Sequence, residues 1–151
     1  MTEQEQFDSF MKLAQFRFER WQERRTYEWK VSLGLWAVLI GAPSYLKAQG
    51  VAFSWWATGL VLTGLVIGHA WFWVRNNWIS NQMDIKTAFH FVEHAERLLT
   101  GSGREPEERL HPEQFRKSCS PFEFLSYGAC QSQVFATAFL AFGLFLVLTF
   151  K

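Results

Sequence analysis

Charge is missing from three stretches of this chain: residues 31–46, 52–74 and 131–150 contain no Asp, Glu, Lys or Arg. Water gives no reason to sustain such runs. A bilayer does, because about 20 apolar residues rising 1.5 Å each match a hydrocarbon core of roughly 30 Å. The mean hydropathy of −0.05 conceals this by averaging apolar runs with strongly charged segments. Cysteine is scarce too. Cys119 and Cys130 are the two present, and both fall on the side assigned below to the cytoplasm, so free thiols are expected rather than a disulfide or a zinc site. An excess of basic charge is absent, and a net charge of +1 argues against nucleic acid as an obligatory ligand. The chain also lacks a Gly-rich phosphate loop, a Cys-x-x-Cys pair and a G-x-S-x-G elbow. It therefore reads as a protein that is not an enzyme, with no cofactor and no metal implied.

The charge that is present lies between and before the apolar runs. Six Lys or Arg residues fall in 1–30 and seven in 75–130, against Lys47 alone in the first connection and Lys151 alone at the end. Positive charge stays on the cytoplasmic side, which orients the protein N-in and C-out and requires an odd number of spans. The expected fold is all-α: an integral membrane protein with three transmembrane helices and cytoplasmic amphipathic helices. Its parts are a cytoplasmic amphipathic helix at 1–30, a two-span hairpin at 31–74, a cytoplasmic helix at 75–100 continuing the second span, a linker at 101–120 and a third span at 121–151. Some 30 mostly polar residues precede the first span, unlike a cleaved signal peptide, so the chain is expected to stay anchored by its own spans. Neither charged segment is large enough to bury a sizeable core alone, which makes a homo-oligomer the default.

Local patterns refine this division. Phe7, Met11, Ala14, Phe18 and Trp21 recur at steps of four and three, giving one apolar stripe on the first helix. Arg24, Arg25, Trp29 and Lys30 then form a basic and aromatic girdle at the headgroups, mirrored by Trp71, Trp73 and Arg75 at the end of the second span. Pro43 sits near the far end of the first span, which is expected to borrow residues 27–29 or to end in a kink. A short turn at 47–51 closes the hairpin. One helix is expected from about Phe53 to Thr100, with an apolar seam at Trp78, Ile85, Phe89, Val92 and Leu99, and Ala88 and Ala95 alongside. Gly101 and Gly103 stop it, and Pro106 and Pro112 punctuate the linker. Ser120-Pro121-Phe122-Glu123 then reads as a capping box that starts the third span.

Four groups of residues carry candidate functions. Gly59, Gly64 and Gly68 in the second span, with Thr137 and Ala141 in the third, are small residues that let helices approach closely in lipid, either between protomers or inside one. His69 is the one ionisable side chain within the three spans, which makes it a pore, gate or proton-site candidate, against the plainer reading of a hydrogen-bonded interfacial histidine. His90, Glu93, His94 and Arg97 share a polar face of the cytoplasmic helix. Their H-x-x-E-H spacing matches an inverted zinc-protease motif, but that chemistry needs a further ligand and an enclosing domain, so a solvated or partner-facing surface is expected. Six residues separate Arg104 from His111, which resembles the Arg-x(4–6)-His signature of HEPN ribonucleases. With four histidines and several permitted spacings, one such match arises by chance.

The run Arg24-Arg25-Thr26-Tyr27-Glu28-Trp29-Lys30 leading to Leu35-Trp36, together with residues 71–78 and 88–99, carries an architectural resemblance. A charged amphipathic helix, a tight two-span hairpin and a continuing cytoplasmic helix resemble the SLATT-type membrane effectors of bacterial conflict systems. More loosely, they resemble the small membrane accessory proteins of type VI-B CRISPR systems. The third span departs from the two-span pattern. What the resemblance implies is an oligomer that opens a pore in the inner membrane on an infection signal. The expected function is thus a multi-pass channel or pore-type effector of the bacterial inner membrane, coupled to a cytoplasmic signal in antiphage defence. The alternative is a membrane-anchored scaffold docking a soluble cytoplasmic protein. Lipid, copies of the chain itself and a cytoplasmic protein are the expected partners.

Overall fold

The computed structural model describes residues 2–49, 54–100 and 119–150. The 50–53 part of the first connection, the glycines at 101 and 103, and the Arg104–His111 spacing with nearly all of the 101–120 linker lie outside them. Among the described residues the fold is all-helical, without strands. Helix α1 spans Glu3–Ala48, passing through Pro43 without interruption. Helix α2 spans Trp55–Gly68, a π-helical segment covers His69–Val74, and α3 follows directly over Arg75–Thr100. After a 3-10 turn at Glu123–Ser126, α4 spans Gly128–Thr149.

Two helices, Trp55–Leu99 and Gly128–Thr149, are long and apolar enough to cross a membrane. Only 22% of the most apolar stretch of each is buried, which is the reverse of a core helix in a water-soluble protein. Val61, Phe72 and Phe139 are 69%, 72% and 76% exposed, so apolar surface faces outward along both.

The described chain divides into two compact units, Met1–Thr26 with Ile79–Ser120, and Tyr27–Trp78 with Pro121–Lys151. In the first, α1 pairs with α3. Phe10 stacks with Phe91 and His94, Phe18 meets Phe89 edge-on, and Arg17 and Arg24 both reach Asp84. Partner numbers on α3 fall as those on α1 rise, which is an antiparallel register. Ala14, Ile79, Ala88 and Ala95 are its buried apolar positions among the described residues, and the three alanines are small enough to bring backbones close. The seam matches the expected one in part: Trp78, Ala88 and Ala95 are buried and Ile85 and Val92 half-buried, whereas Phe89 and Leu99 are exposed and the polar Asn81 and Asp84 are buried instead.

In the second unit, Leu39 of α1, Leu62 of α2, and Ala141 and Leu144 of α4 form one core. Contacts between α1 and α4 rise together in number, as in Glu28–Gln133 and Trp36–Thr137, so these helices are parallel. Ser32–His69 and Gly59–Phe145 run the opposite way and make α2 antiparallel to both. The π segment explains how His69 and Val74 are both buried. A five-residue step puts two side chains on different faces of an α-helix, but close to one face of a π turn, which holds more residues per turn.

The capping box expected at Ser120–Glu123 does not start the last helix. Leu125 N–H donates to the Phe122 carbonyl and Tyr127 N–H to the Phe124 carbonyl, closing a separate 3-10 turn around buried Phe124. The Ser126 hydroxyl takes the Glu123 carbonyl at 2.7 Å, offering the backbone an alternative to helix, and Tyr127 is extended. The helix starts afresh at Gly128.

Candidate functional site

Each helix of the apolar unit carries a few polar side chains at helical spacing. Glu28, Ser32 and Trp36 follow one another at steps of four on α1, as do Gln133 and Thr137 on α4, so each set lies on one face. His69 opens the π segment. These six residues converge into one hydrogen-bonded cluster. Glu28, Ser32, His69, Gln133 and Thr137 are all buried, and Ser32, Gln133 and Thr137 have no measurable exposure.

The connections run through all three helices. Gln133 Nε2 donates to Glu28 Oε1 at 2.7 Å, and the Ser32 hydroxyl donates to Gln133 Oε1 at 2.7 Å. The imidazole of His69 lies between two hydroxyls, with Nε2 3.2 Å from Ser32 Oγ and Nδ1 3.2 Å from Thr137 Oγ1. Thr137 accepts from the Trp36 indole N–H at 2.8 Å and donates to its own helix at the Gln133 carbonyl, also 2.8 Å away. A buried carboxyl group and a buried imidazole are thus joined by a continuous chain of polar groups. In a low-dielectric interior such bonds are strong, and an unpaired member would be costly. The arrangement ties three helices together in one register.

The small residues separate into two sets. Thr137 is a hydrogen-bond junction and Ala141 belongs to the core. A methyl group added at Gly59 would meet the Phe145 ring at 3.4 Å, whereas at Gly64 or Gly68 it would meet nothing within 4 Å among the described residues. Gly59 packs against α4; among the described residues nothing packs against Gly64 or Gly68. We therefore expect Gly59→Leu to crowd Phe145 and cost about 1–3 kcal/mol, and Gly64→Leu to leave the protomer's unfolding midpoint at or above that of the parent, read by thermal unfolding in detergent micelles.

The remaining candidates are placed as follows. Arg24 is not an outward-facing anchor: its guanidinium lies 2.8 Å from Asp84 Oδ2, because a buried carboxylate attracts the nearest cations. Arg25 stands over Trp21 at 5.9 Å, Trp29 meets Trp36 edge-on, Lys30 is exposed, and Arg75 stacks over Trp71 at 4.8 Å. Trp73 tilts against Tyr27. His90 and His94 do not form a fully solvated face. Their rings are 4.7 Å apart and His94 stacks on Phe10 at 5.3 Å, while Glu93 is exposed and Arg97 partly so. Cys130 is buried and Cys119 half-buried, and they are not joined in a disulfide.

Glu28, Ser32, Trp36 and Gln133 are not singled out by composition or motif. Their signal is the four-residue spacing of polar groups within apolar helices. No protein-family model, curated protein or solved structure matches this chain.

Proposed function

We propose that the chain is a multi-pass protein of the bacterial inner membrane whose copies assemble into a channel or pore-type effector, coupled to a cytoplasmic signal, with the His69 cluster as its working element. The observation that carries this reading is a buried, hydrogen-bonded imidazole and carboxyl group within a largely apolar three-helix unit. Ionisable groups are expensive at membrane depth, and where they occur they mark ion paths, proton sites or gates. The parallel, antiparallel and parallel order of α1, α2 and α4 supports three spans, N-in and C-out, with residues 31–46 as the first. The cluster is closed within one protomer, so conduction runs between protomers. The outward-facing Gly64 and Gly68 supply a surface for their close approach. A role in antiphage defence follows from the resemblance to SLATT-type effectors.

The second reading is a membrane-anchored scaffold that docks a soluble cytoplasmic protein. It is favoured by a groove of about 440 Å³ on the other unit, lined by residues that include Met11, Phe18, Gln22 and Val92. The mass of the purified particle in a mild detergent tests the first reading. Several copies are expected for the wild type and fewer for Gly64→Leu. A clean monomer in both overturns it.

A further inference from the structure

We infer that Glu28 is the positioning residue of His69: its carboxylate determines which nitrogen of the imidazole carries the proton. The inference rests on the reading of the cluster as the working element, and it follows from counting donors along the chain of bonds. A carboxylate can only accept, so Gln133 must turn its amide NH2 toward Glu28 Oε1, as it does at 2.7 Å. That leaves Gln133 Oε1 as an acceptor on its other side, and the single hydroxyl hydrogen of Ser32 goes to it. Ser32 Oγ then has only lone pairs to offer His69, so Nε2 must be the protonated nitrogen and donate to Ser32. Nδ1 becomes the acceptor, sharing the Thr137 hydroxyl hydrogen with the Gln133 carbonyl. Trp36 N–H donates to Thr137 Oγ1, so every bond from Trp36 onward points toward Glu28.

The same geometry supports a second, reversed arrangement. With a donor at position 28, Gln133 turns its amide over, Ser32 donates to Nε2, and Nδ1–H donates to Thr137. Thr137 Oγ1 can accept from both Trp36 and the ring while still donating to the Gln133 carbonyl. Both patterns satisfy all of these groups, and only a donor at position 28 permits the second. A lysine there supplies one, so whether residue 28 donates or accepts is readable at the ring, across helices. Of the other titratable or charged groups in this unit, Tyr27 and Lys30 on α1 and Glu123 and Tyr127 before α4 are exposed, and Arg75 stacks on Trp71. Helix α4 itself carries no charged residue.

The test is ring 15N and 13C resonances of the full-length protein in lipid bilayers, with labelled histidine and His69 assigned by its loss in His69→Asn. At neutral pH the wild type is expected to show the Nε2–H tautomer. Glu28→Lys, a donor in place of an acceptor, is expected to exchange the two 15N signals and give Nδ1–H. Gln133→Leu is expected to abolish that dependence on residue 28. A wild-type ring in the Nδ1–H form or doubly protonated overturns the proposal, and this assignment suffices alone if Glu28→Lys does not fold. A folded Glu28→Lys protein retaining Nε2–H also overturns it. The readout needs no ion flux, so it fails or holds separately from the pore reading.

Discussion

Gln133→Leu is expected to destabilise the protein by about 3 kcal/mol, the cost of removing two buried hydrogen bonds, one of them to a carboxylate. Leucine is close to glutamine in size, so the loss is polar rather than steric. Glu28 loses the amide 2.7 Å from its carboxyl oxygen, and the Ser32 hydroxyl loses its acceptor. The bond from Thr137 to the backbone carbonyl of residue 133 survives, so α4 stays helical. Glu28→Leu should cost a similar amount by orphaning Gln133. The double variant should recover much of the loss, since replacing both partners by apolar groups of like shape is nearly neutral. Unfolding of the four proteins in mixed micelles measures this. Losses that simply add would show that Glu28 and Gln133 do not act as a pair.

The second large effect belongs to the other unit. Asp84→Ala removes one carboxylate from between two guanidinium groups at 3.2 and 2.8 Å. The Asp84 side chain is 6% exposed, and those of Arg17 and Arg24 are 26% and 21% exposed. Breaking a buried pair is costly because a charge is left uncompensated, but these arginines can turn partly toward water, which reduces the loss to about 2 kcal/mol. Asp84→Asn, which keeps the shape and can still accept, should lose roughly half as much. Amide hydrogen exchange should show the loss as weaker protection across α3 around residue 84, with α4 unchanged. Uniform protection in Asp84→Ala would mean that the clamp does not hold α1 to α3.

Much of the helical layout was legible because it rests on composition and period. Residues 31–46, 55–74 and 131–149 of the charge-free runs fall within α1, α2 with its π segment, and α4, and the stripe from Phe7 to Trp21 anticipates the face on which Ala14 is buried and Phe18 meets Phe89. What could not be read depends on pairing between distant segments. Ser32 and Gln133 are 101 residues apart, and neither stands out until three helices bring them to one ring. Arg24 looks like a headgroup anchor until Asp84 is placed beside it. His94 looks solvated until Phe10 lies on it. The π turn was hidden for a different reason: its signature is a five-residue step from His69 to Val74, which a 3.6-residue period reads as a change of face. Gly64 and Gly68 were legible as small residues, but only the structure separates them from Gly59.

Ion efflux from sealed liposomes containing the purified, membrane-inserted protein is the most direct test of the central claim that copies of this chain form a pore. A pore built from several copies requires efflux that rises steeply with protein per vesicle and is lost in Gly64→Leu, whose fold is expected to be intact. Liposomes that stay tight at every protein density, with insertion verified, would contradict it.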